Sequence, residues 1–382
     1  MITIENANIL YGDELDPIKA NILIDDSEIV EVSPQIRKGK VLDARRCIVA
    51  PGLINSHVHL GDSVAMDSGD GKTIGEIVKP PDGIKHQILS NSSPSIIKDF
   101  MQKSMWDMLH SGTTTFVDFR EGGNEGIEII NEAAANVPIR KIVLGRHESF
   151  INPQADPLEI VKKVEELVEI CDGIAPSGLG EINDTTAAAI TRTTSRLDKL
   201  SAIHVAEYLD VQNDSLKITG KTEVQRAVEA DFDLLIHLTS PLKDDLELLA
   251  QYEKPVVCCP RSNGTLSVGI PPIKKMCTLG IKLLLGTDNL MFNSPNMLRE
   301  MEYALKITRG YYKDYFSPLE IIKMATVNAG QALKLNTGSI SEGYLADLII
   351  IEQISKNPYL SLINRTETSN IKNLIFEGQI IL

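Results

Sequence analysis

The chain has 382 residues, 43% of them hydrophobic and 24% charged, and 38 Lys+Arg against 52 Asp+Glu leave a formal net charge of −14. This much apolar content excludes a fibrous or disordered chain, and the length suits one large domain with a smaller companion. The acidic balance repels phosphate backbones and anionic lipid, so neither nucleic acid nor a membrane is an expected partner.

The five cysteines (Cys47, Cys171, Cys258, Cys259 and Cys277) are odd in number and form no C-x-x-C pair. That argues against a disulfide framework and fits a reducing, cytoplasmic compartment. The N-terminus has neither the basic n-region nor the apolar h-region of a signal peptide, and no run reaches the roughly 18 apolar residues of a membrane span.

Residues 1–48 read as short strands (Ile2–Ile4, Ala20–Ile24, Ile29–Val32) divided by turn residues, with no helical period. Residues 338–382 read alike, with strands at Asp347–Glu352, Asn373–Phe376 and Ile380–Leu382. Together the two ends predict one small β domain, a sandwich built from both termini. Residues 49–337 alternate. Apolar runs at Gly52–His59, Thr113–Phe119, Lys141–Arg146, Gly173–Leu179, Ala202–Ala206, Leu234–Leu238, Pro255–Cys259 and Leu283–Thr287 read as buried parallel strands. Amphipathic stretches such as Ser95–His110, Pro157–Ile170 and Asp244–Tyr252 read as the helices between them. Eight strands with intervening helices predict a (β/α)8 barrel, and periodicity leaves a doubly wound open sheet as the alternative. The stretch 61–93 has little pattern and predicts a site-shaping loop. A single packing helix is expected over Pro318–Leu335.

Histidines concentrate on the predicted strands. His57 and His59 flank Val58 at the end of the first barrel strand, and a period of two turns both imidazoles to the same side, the barrel interior. His204 lies on the fifth strand, His237 on the sixth, and Asp288 follows the eighth. Each alone is unremarkable: a strand histidine is commonly a satisfied core residue, and an aspartate after a strand is commonly a helix cap. Their coincidence on one rim predicts a divalent metal site, because polar groups buried without partners cost several kcal/mol. Imidazoles with one carboxylate suit zinc and leave a position for water. Glu207, three residues past His204, stands where a carboxyl can shuttle protons. The other reading is a salt bridge. His110 reads as a helix end, and His86 as a solvated loop residue.

Weaker candidates face the substrate. Asp62 and Ser63 follow the paired histidines. Arg146 can grip a carboxylate or phosphate, or else pair with Glu148 or Glu181. His147 stands at the third strand's rim, and Ser262 and Asn263 follow the seventh strand. Cys258 and Cys259 read as buried and inert.

The segments APGLINSHVH (50–59), HVAE (204–207), IH (236–237), CPRSN (259–263), GTDN (286–289) with NSPNMLREM after it, and GSISEGYLADL (338–348) together resemble the amidohydrolase superfamily, in its deaminase and chlorohydrolase branch. The resemblance spans the barrel from first strand to last. It implies one divalent ion, zinc first and iron or manganese next, held by His57, His59, His204 and Asp288. It implies further that His237 polarises the attacking water and that Glu207 relays protons to the substrate ring. No lysine lies on the predicted fourth strand to bridge two ions, although Glu148 and Glu181 lie near strand ends and could serve less directly; the H-x-x-E after the fifth strand resembles the single-metal branch, which implies one ion. The activity implied is hydrolytic deamination of a purine-, pyrimidine- or pterin-like small molecule. Opening of a cyclic amide or dechlorination of a ring is the alternative, and a metal-free scaffold a third reading. The loop around Asp62 and Ser63 lacks the aromatic character of the S-adenosylhomocysteine deaminase type. A homodimer or homotetramer is the implied assembly.

Overall fold

The structure is a computed structural model that describes residues 1–78 and 82–382. Parallel strands run in chain order through Leu53–His59, Thr113–Arg120, Arg140–Gly145, Gly173–Ile174, Leu200–Val205, Leu234–His237 and Val256–Cys258. The eighth strand comes in two pieces, Leu283–Leu285 and Asp288–Asn289. The first piece pairs with the seventh strand and the second with the first strand, Asp288 opposite Val58 and Asn289 opposite His59. The sheet thereby closes into the expected barrel. The break falls at Gly286, where a Cβ would lie 2.6 Å from that of His57. Across the seam, Thr287 N–H donates to Asn55 Oδ1 at 3.0 Å and Asn55 Nδ2 donates back to Thr287 Oγ1 at 2.7 Å.

Alternation along the strands divides the core. Val117, Phe119, Leu144, Ala202, Ile236, Val257 and Leu284 fill the barrel interior. Their neighbours Phe116, Val143, Ile203, Leu235, Val256 and Leu283 face outward into a larger cluster with helix residues such as Met105, Leu109, Ile130 and Val164. Burying each such side chain stabilises the fold by about 1.5–3 kcal/mol.

Both termini build a second, eight-stranded sheet, joined where Cys47–Pro51 pairs antiparallel with Leu348–Glu352. Here too the period of two decides the packing. Ile48, Ala50, Ile349 and Ile351 belong to the cluster shared with the barrel, whereas Val49, Leu348 and Ile350 belong to the sheet's own core with Ile4, Ile22 and Ile29. At the N-terminal end of the third barrel strand Arg140 is paired with the buried carboxylate of Asp347, and its Nη2 reaches Glu377 Oε1 at 2.8 Å. Asp347 also accepts from Thr337 Oγ1 and Glu377 N–H, each at 2.8 Å.

Three local expectations need correction. The fourth strand stops at Ile174, because Pro176 lacks an N–H to donate; pairing resumes only as a bridge between Gly178 and His204. The helix expected over Pro318–Leu335 is two helices, Pro318–Met324 and Val327–Ala332, because the Ala325 carbonyl accepts from Ile54 N–H on the first strand. The stretch 61–93 is largely helical where described. A 3-10 turn spans Leu60–Ala65, and helices span Ile74–Val78 and Ile84–Asn91; the part of the expected loop at 79–81 lies outside the described residues. No helix among the described residues is long and apolar enough to cross a membrane.

Removing the Asp347 carboxylate strands a largely buried Arg140. Asp347→Ala is therefore expected to lower the unfolding free energy in a denaturant titration by about 3–5 kcal/mol, and Glu377→Ala, at the exposed end of the same network, by less than about 1 kcal/mol.

Candidate metal centre

The first strand delivers His57 and His59 to the C-terminal mouth of the barrel, and closure brings the last strand's carboxylate to them. His57 Nε2 lies 3.0 Å from Asp288 Oδ1, and His59 Nε2 lies 3.6 Å from the same oxygen. The rings of His57 and His204 are centred 4.9 Å apart, those of His59 and His204 stack at 5.6 Å, and those of His204 and His237 are 5.3 Å apart. Phe119 packs edge-on against His57 at 4.1 Å and closes the floor.

Ligand atoms of His57, His59 and His204 lie within 4.8 Å of one another, as do those of His57, His237 and Asp288. Two ligands of one zinc ion sit at most about 4.2 Å apart, so a small contraction suffices. Burial holds the imidazoles of His59 and His204 well below their ordinary pKa and lowers that of His57, which favours the neutral form that carries a lone pair. Each also has a buried Nδ1 without a hydrogen-bond partner. Burial pushes Asp288 the other way, but the contact with His57 and the neighbouring histidines outweigh it and keep this carboxylate ionised. Neutral imidazoles around one fixed negative charge are a donor set for a divalent cation.

The mouth is built on strained backbone. Ala206, His237, Leu238 and Asp288 all have positive φ, +50°, +80°, +51° and +59°. Such conformations cost about 1–3 kcal/mol each and persist where the surroundings enforce them. At Ala206 the enforcing group is Glu223, whose carboxylate accepts the Ala206 N–H at 2.9 Å. This strain turns the chain so that Glu207 faces the histidines, its Oε1 3.6 Å from His237 Nε2. Burial raises the Glu207 pKa.

Residues after the seventh strand hold the centre from behind. Ser262 Oγ donates to Asp288 Oδ2, and Asn263 Nδ2 donates to His237 Nδ1 at 3.1 Å. Accepting at Nδ1 leaves the ring proton on Nε2, directed at Glu207 and the site. Ser262 and Asn263 are completely buried, as are Asp62 and Ser63. Asp62 accepts from Lys85 and Asn289, and Ser63 donates to the Leu60 carbonyl. Arg146 and His147 lie instead on an open cavity of about 420 Å³ lined also by His86, Glu121, Phe150 and Ser177. Arg146 pairs with Glu121 at 2.5 Å and contacts Ser177, in place of Glu148 or Glu181. His147 accepts from Ser149 N–H and caps a short 3-10 turn. His86 contacts the Val78 carbonyl at 3.0 Å, His110 that of Trp106 at 2.7 Å, and Cys258 and Cys259 are buried with raised pKa.

Sequence reasoning did not single out Glu121 or Lys85. The buried Lys85 ammonium lies 3.1 Å from Asp62 and 2.5 Å from Glu121. Burial pulls its pKa down, but the two carboxylates prevail and raise it, so it is charged. Glu121 ends the run VDFRE, and a carboxylate at the C-terminal end of a barrel strand is the signal that was available.

These features agree with the comparisons. Residues 48–381 match the family model described as amidohydrolase family. The chain belongs to the amidohydrolase family. A Methanothermobacter thermautotrophicus protein with only a provisional aminohydrolase name is 49% identical, covering 100% of this chain and 99% of that one. A 5-methylthioadenosine/S-adenosylhomocysteine deaminase from Thermococcus kodakarensis is 28% identical over 100% of this chain and 94% of its own. Among solved structures, the atrazine chlorohydrolase of Arthrobacter aurescens TC1 complexed with zinc superposes with a TM-score of 0.88 at 20% identity, covering 100% and 95% of the two chains. The protein is thus a hydrolase of the amidohydrolase type, acting on carbon–nitrogen bonds other than peptide bonds, and its histidine–aspartate cluster has the donor atoms for a metal ion.

Burial raises the Glu223 carboxyl from 4.5 to about 7. The folded protein therefore binds more protons than the unfolded chain between those values, and the stability Glu223 contributes, full below about pH 4.5, is lost as pH rises to about 7. Glu223→Gln, which cannot ionise, is expected to flatten that part of the pH dependence when denaturant unfolding is followed from about pH 5 to 8; an unchanged slope would remove Glu223 from it.

Proposed function

We propose that the protein removes an amino group hydrolytically from a purine-, pyrimidine- or pterin-like ring, with one divalent ion, zinc, held by His57, His59, His204 and Asp288. The observation that carries this reading is Glu207, lodged at the mouth 3.6 Å from His237 and beside the imidazole–carboxylate cluster. An ion held there supplies Lewis acidity and lowers the pKa of a water from about 15.7 towards 7. The remaining chemistry belongs to the side chains.

Asp288, ionised and anchored by Ser262, accepts a proton from the attacking water. His237, with its proton on Nε2, donates a hydrogen bond to the oxygen as negative charge develops. Glu207 enters as the acid and protonates the ring nitrogen next to the attacked carbon, so charge does not accumulate on the ring. Its raised pKa keeps the acid form available at higher pH than an ordinary carboxyl allows. The proton on Asp288 then passes to the departing amino group, and the adduct's hydroxyl gives its proton back to Glu207 as the carbonyl forms. Water is consumed, ammonia leaves, and a carbonyl replaces the amine. The cavity beside Glu121 and Arg146 has room for the rest of the substrate. Zinc in the structurally similar chlorohydrolase, the deaminase name of the Thermococcus relative and five free cysteines support zinc, deamination and a reducing, cytoplasmic setting in turn. A homodimer or homotetramer completes the reading.

Screening purines, pyrimidines, pterins and nucleosides for ammonia release tests it. Turnover without ammonia would contradict deamination and favour a cyclic amide or halogenated ring. Glu207→Gln and Asp288→Ala are each expected to lower kcat by about 10²–10⁴-fold, and only the second to reduce bound metal; full activity of Glu207→Gln would exclude it as the acid.

Asn263→Ala removes the donor that fixes the His237 tautomer. It is expected to lower kcat with little change in KM, and nitrogen NMR of the imidazole should show a mixture of tautomers where the parent protein shows one.

A further inference from the structure

Beside the metal centre lies a second group of ligand atoms that the proposed chemistry does not use. His59, Asp62 and Glu121 each offer one atom, all within 4.8 Å of one another. They come from the end of the first strand, the turn after it and the end of the second strand. Asp62 is completely buried, and its Oδ1 has no hydrogen-bond partner; His59 is 8% exposed and its Nδ1 is likewise unpartnered. Two carboxylates and an imidazole at this depth form a cation site by their chemistry. It is filled from within the chain: Lys85, itself 3% exposed, places its ammonium 3.1 Å from Asp62 Oδ2 and 2.5 Å from Glu121 Oε1.

We propose that the Lys85 ammonium is a tethered substitute for a second metal ion, and that it keeps the centre mononuclear by occupying a metal-binding site formed by Asp62 and Glu121 beside His59. The proposal rests on the first ion being held by His57, His59, His204 and Asp288.

Three features argue for an occupant that must be cationic. Two carboxylates converge on it, and without it the buried Asp62 would lose its ammonium partner and Glu121 would keep Arg146 alone, a cost of several kcal/mol for Asp62. Of the neighbouring cations, Arg146 is paired with Glu121 and Ser177, and Arg120 is directed at Asp118, 3.6 Å away, with its Nη1 lacking a hydrogen-bond partner. Asn289 Nδ2 fixes Asp62 from the eighth strand at 2.6 Å, so the carboxylate does not swing away when the lysine is lost. The tether also has a consequence for the fold. Lys85 belongs to the helix Ile84–Asn91, and its ammonium pins that helix to the barrel mouth. An ion at the same place would neutralise the carboxylates without holding the helix.

The test compares metal content. The full-length protein and its Lys85→Met variant, which keeps the chain length without the charge, are stripped with chelator, reloaded with excess zinc or manganese, desalted and measured by elemental analysis. The parent protein is expected to retain one equivalent per chain, Lys85→Met two, and Lys85→Met combined with Glu121→Gln one again. Lys85→Arg, which keeps a cation there, is expected to stay at one. Equal content in the parent protein and Lys85→Met overturns the proposal, as does a parent protein that retains two. A parent protein that retains none would instead contradict the metal centre itself, so the two failures are distinguishable. If Lys85→Met is poorly folded without metal, thermal melting keeps the question decidable: zinc or manganese should raise its melting temperature by more than that of the parent protein, and an equal or smaller rise overturns the proposal.

Discussion

The organisation of this protein turns on one contact between the two ends of its barrel sheet. His57 on the first strand meets Asp288 on the last at 3.0 Å, and that meeting is possible only because the sheet closes. The seam is accordingly closely fitted. Gly286 lets the last strand pass over His57, and the reciprocal Asn55–Thr287 hydrogen bonds fix the register. A slip of one residue along this seam would turn the two histidines of the first strand away from the interior and separate them from the aspartate. Closing the fold and assembling the donor set are therefore a single event.

Around that contact the mouth is arranged in two charge balances. At the centre, buried imidazoles whose burial favours the neutral form surround one aspartate held ionised, a donor set suited to a cation. At the edge, Asp62 and Glu121 are met by Lys85 and Arg146 within the chain itself. The first calls for an ion from outside and the second supplies its own. Positive φ at Ala206, His237 and Asp288 shows where the backbone is bent to present these groups, and the buried carboxyl of Glu223 holds one of those bends in place. Activity and stability are thereby linked at Ala206, where the group that holds the bend is a buried ionisable one.

Much of this was legible in the sequence, and the reason is periodicity. Strands buried on both faces appear as continuous apolar runs, so a histidine or aspartate at the end of one stands out. That is why His57, His59, His204, His237 and Asp288 were found together, and why the barrel and the two-ended β sheet were expected. What escaped depends on relations that no local pattern encodes. The fourth strand ends early because Pro176 cannot donate, and the helix over Pro318–Leu335 breaks because Ile54, far away in the chain, takes the Ala325 carbonyl. Lys85 lies in a stretch that reads as irregular; its role exists only once the helix Ile84–Asn91 reaches the mouth. Arg146 was expected to grip a carboxylate or phosphate of the substrate, or else to pair with Glu148 or Glu181; its carboxylate partner is Glu121, from the adjacent barrel strand. Asp62, Ser63, Ser262 and Asn263 were expected to face a substrate because they follow strands; what no local pattern encodes is that they are also buried and hydrogen-bonded within the mouth and the helical turns beside it.

The central claim is that one ion joins the first, fifth and last strands at the mouth. Anomalous diffraction at the zinc edge from crystals grown with zinc tests it most directly. The account predicts one strong peak per chain at bonding distance, about 2.0–2.2 Å, from a nitrogen of each of His57, His59 and His204 and from a carboxylate oxygen of Asp288. A peak located elsewhere, or no peak at the mouth, would contradict it.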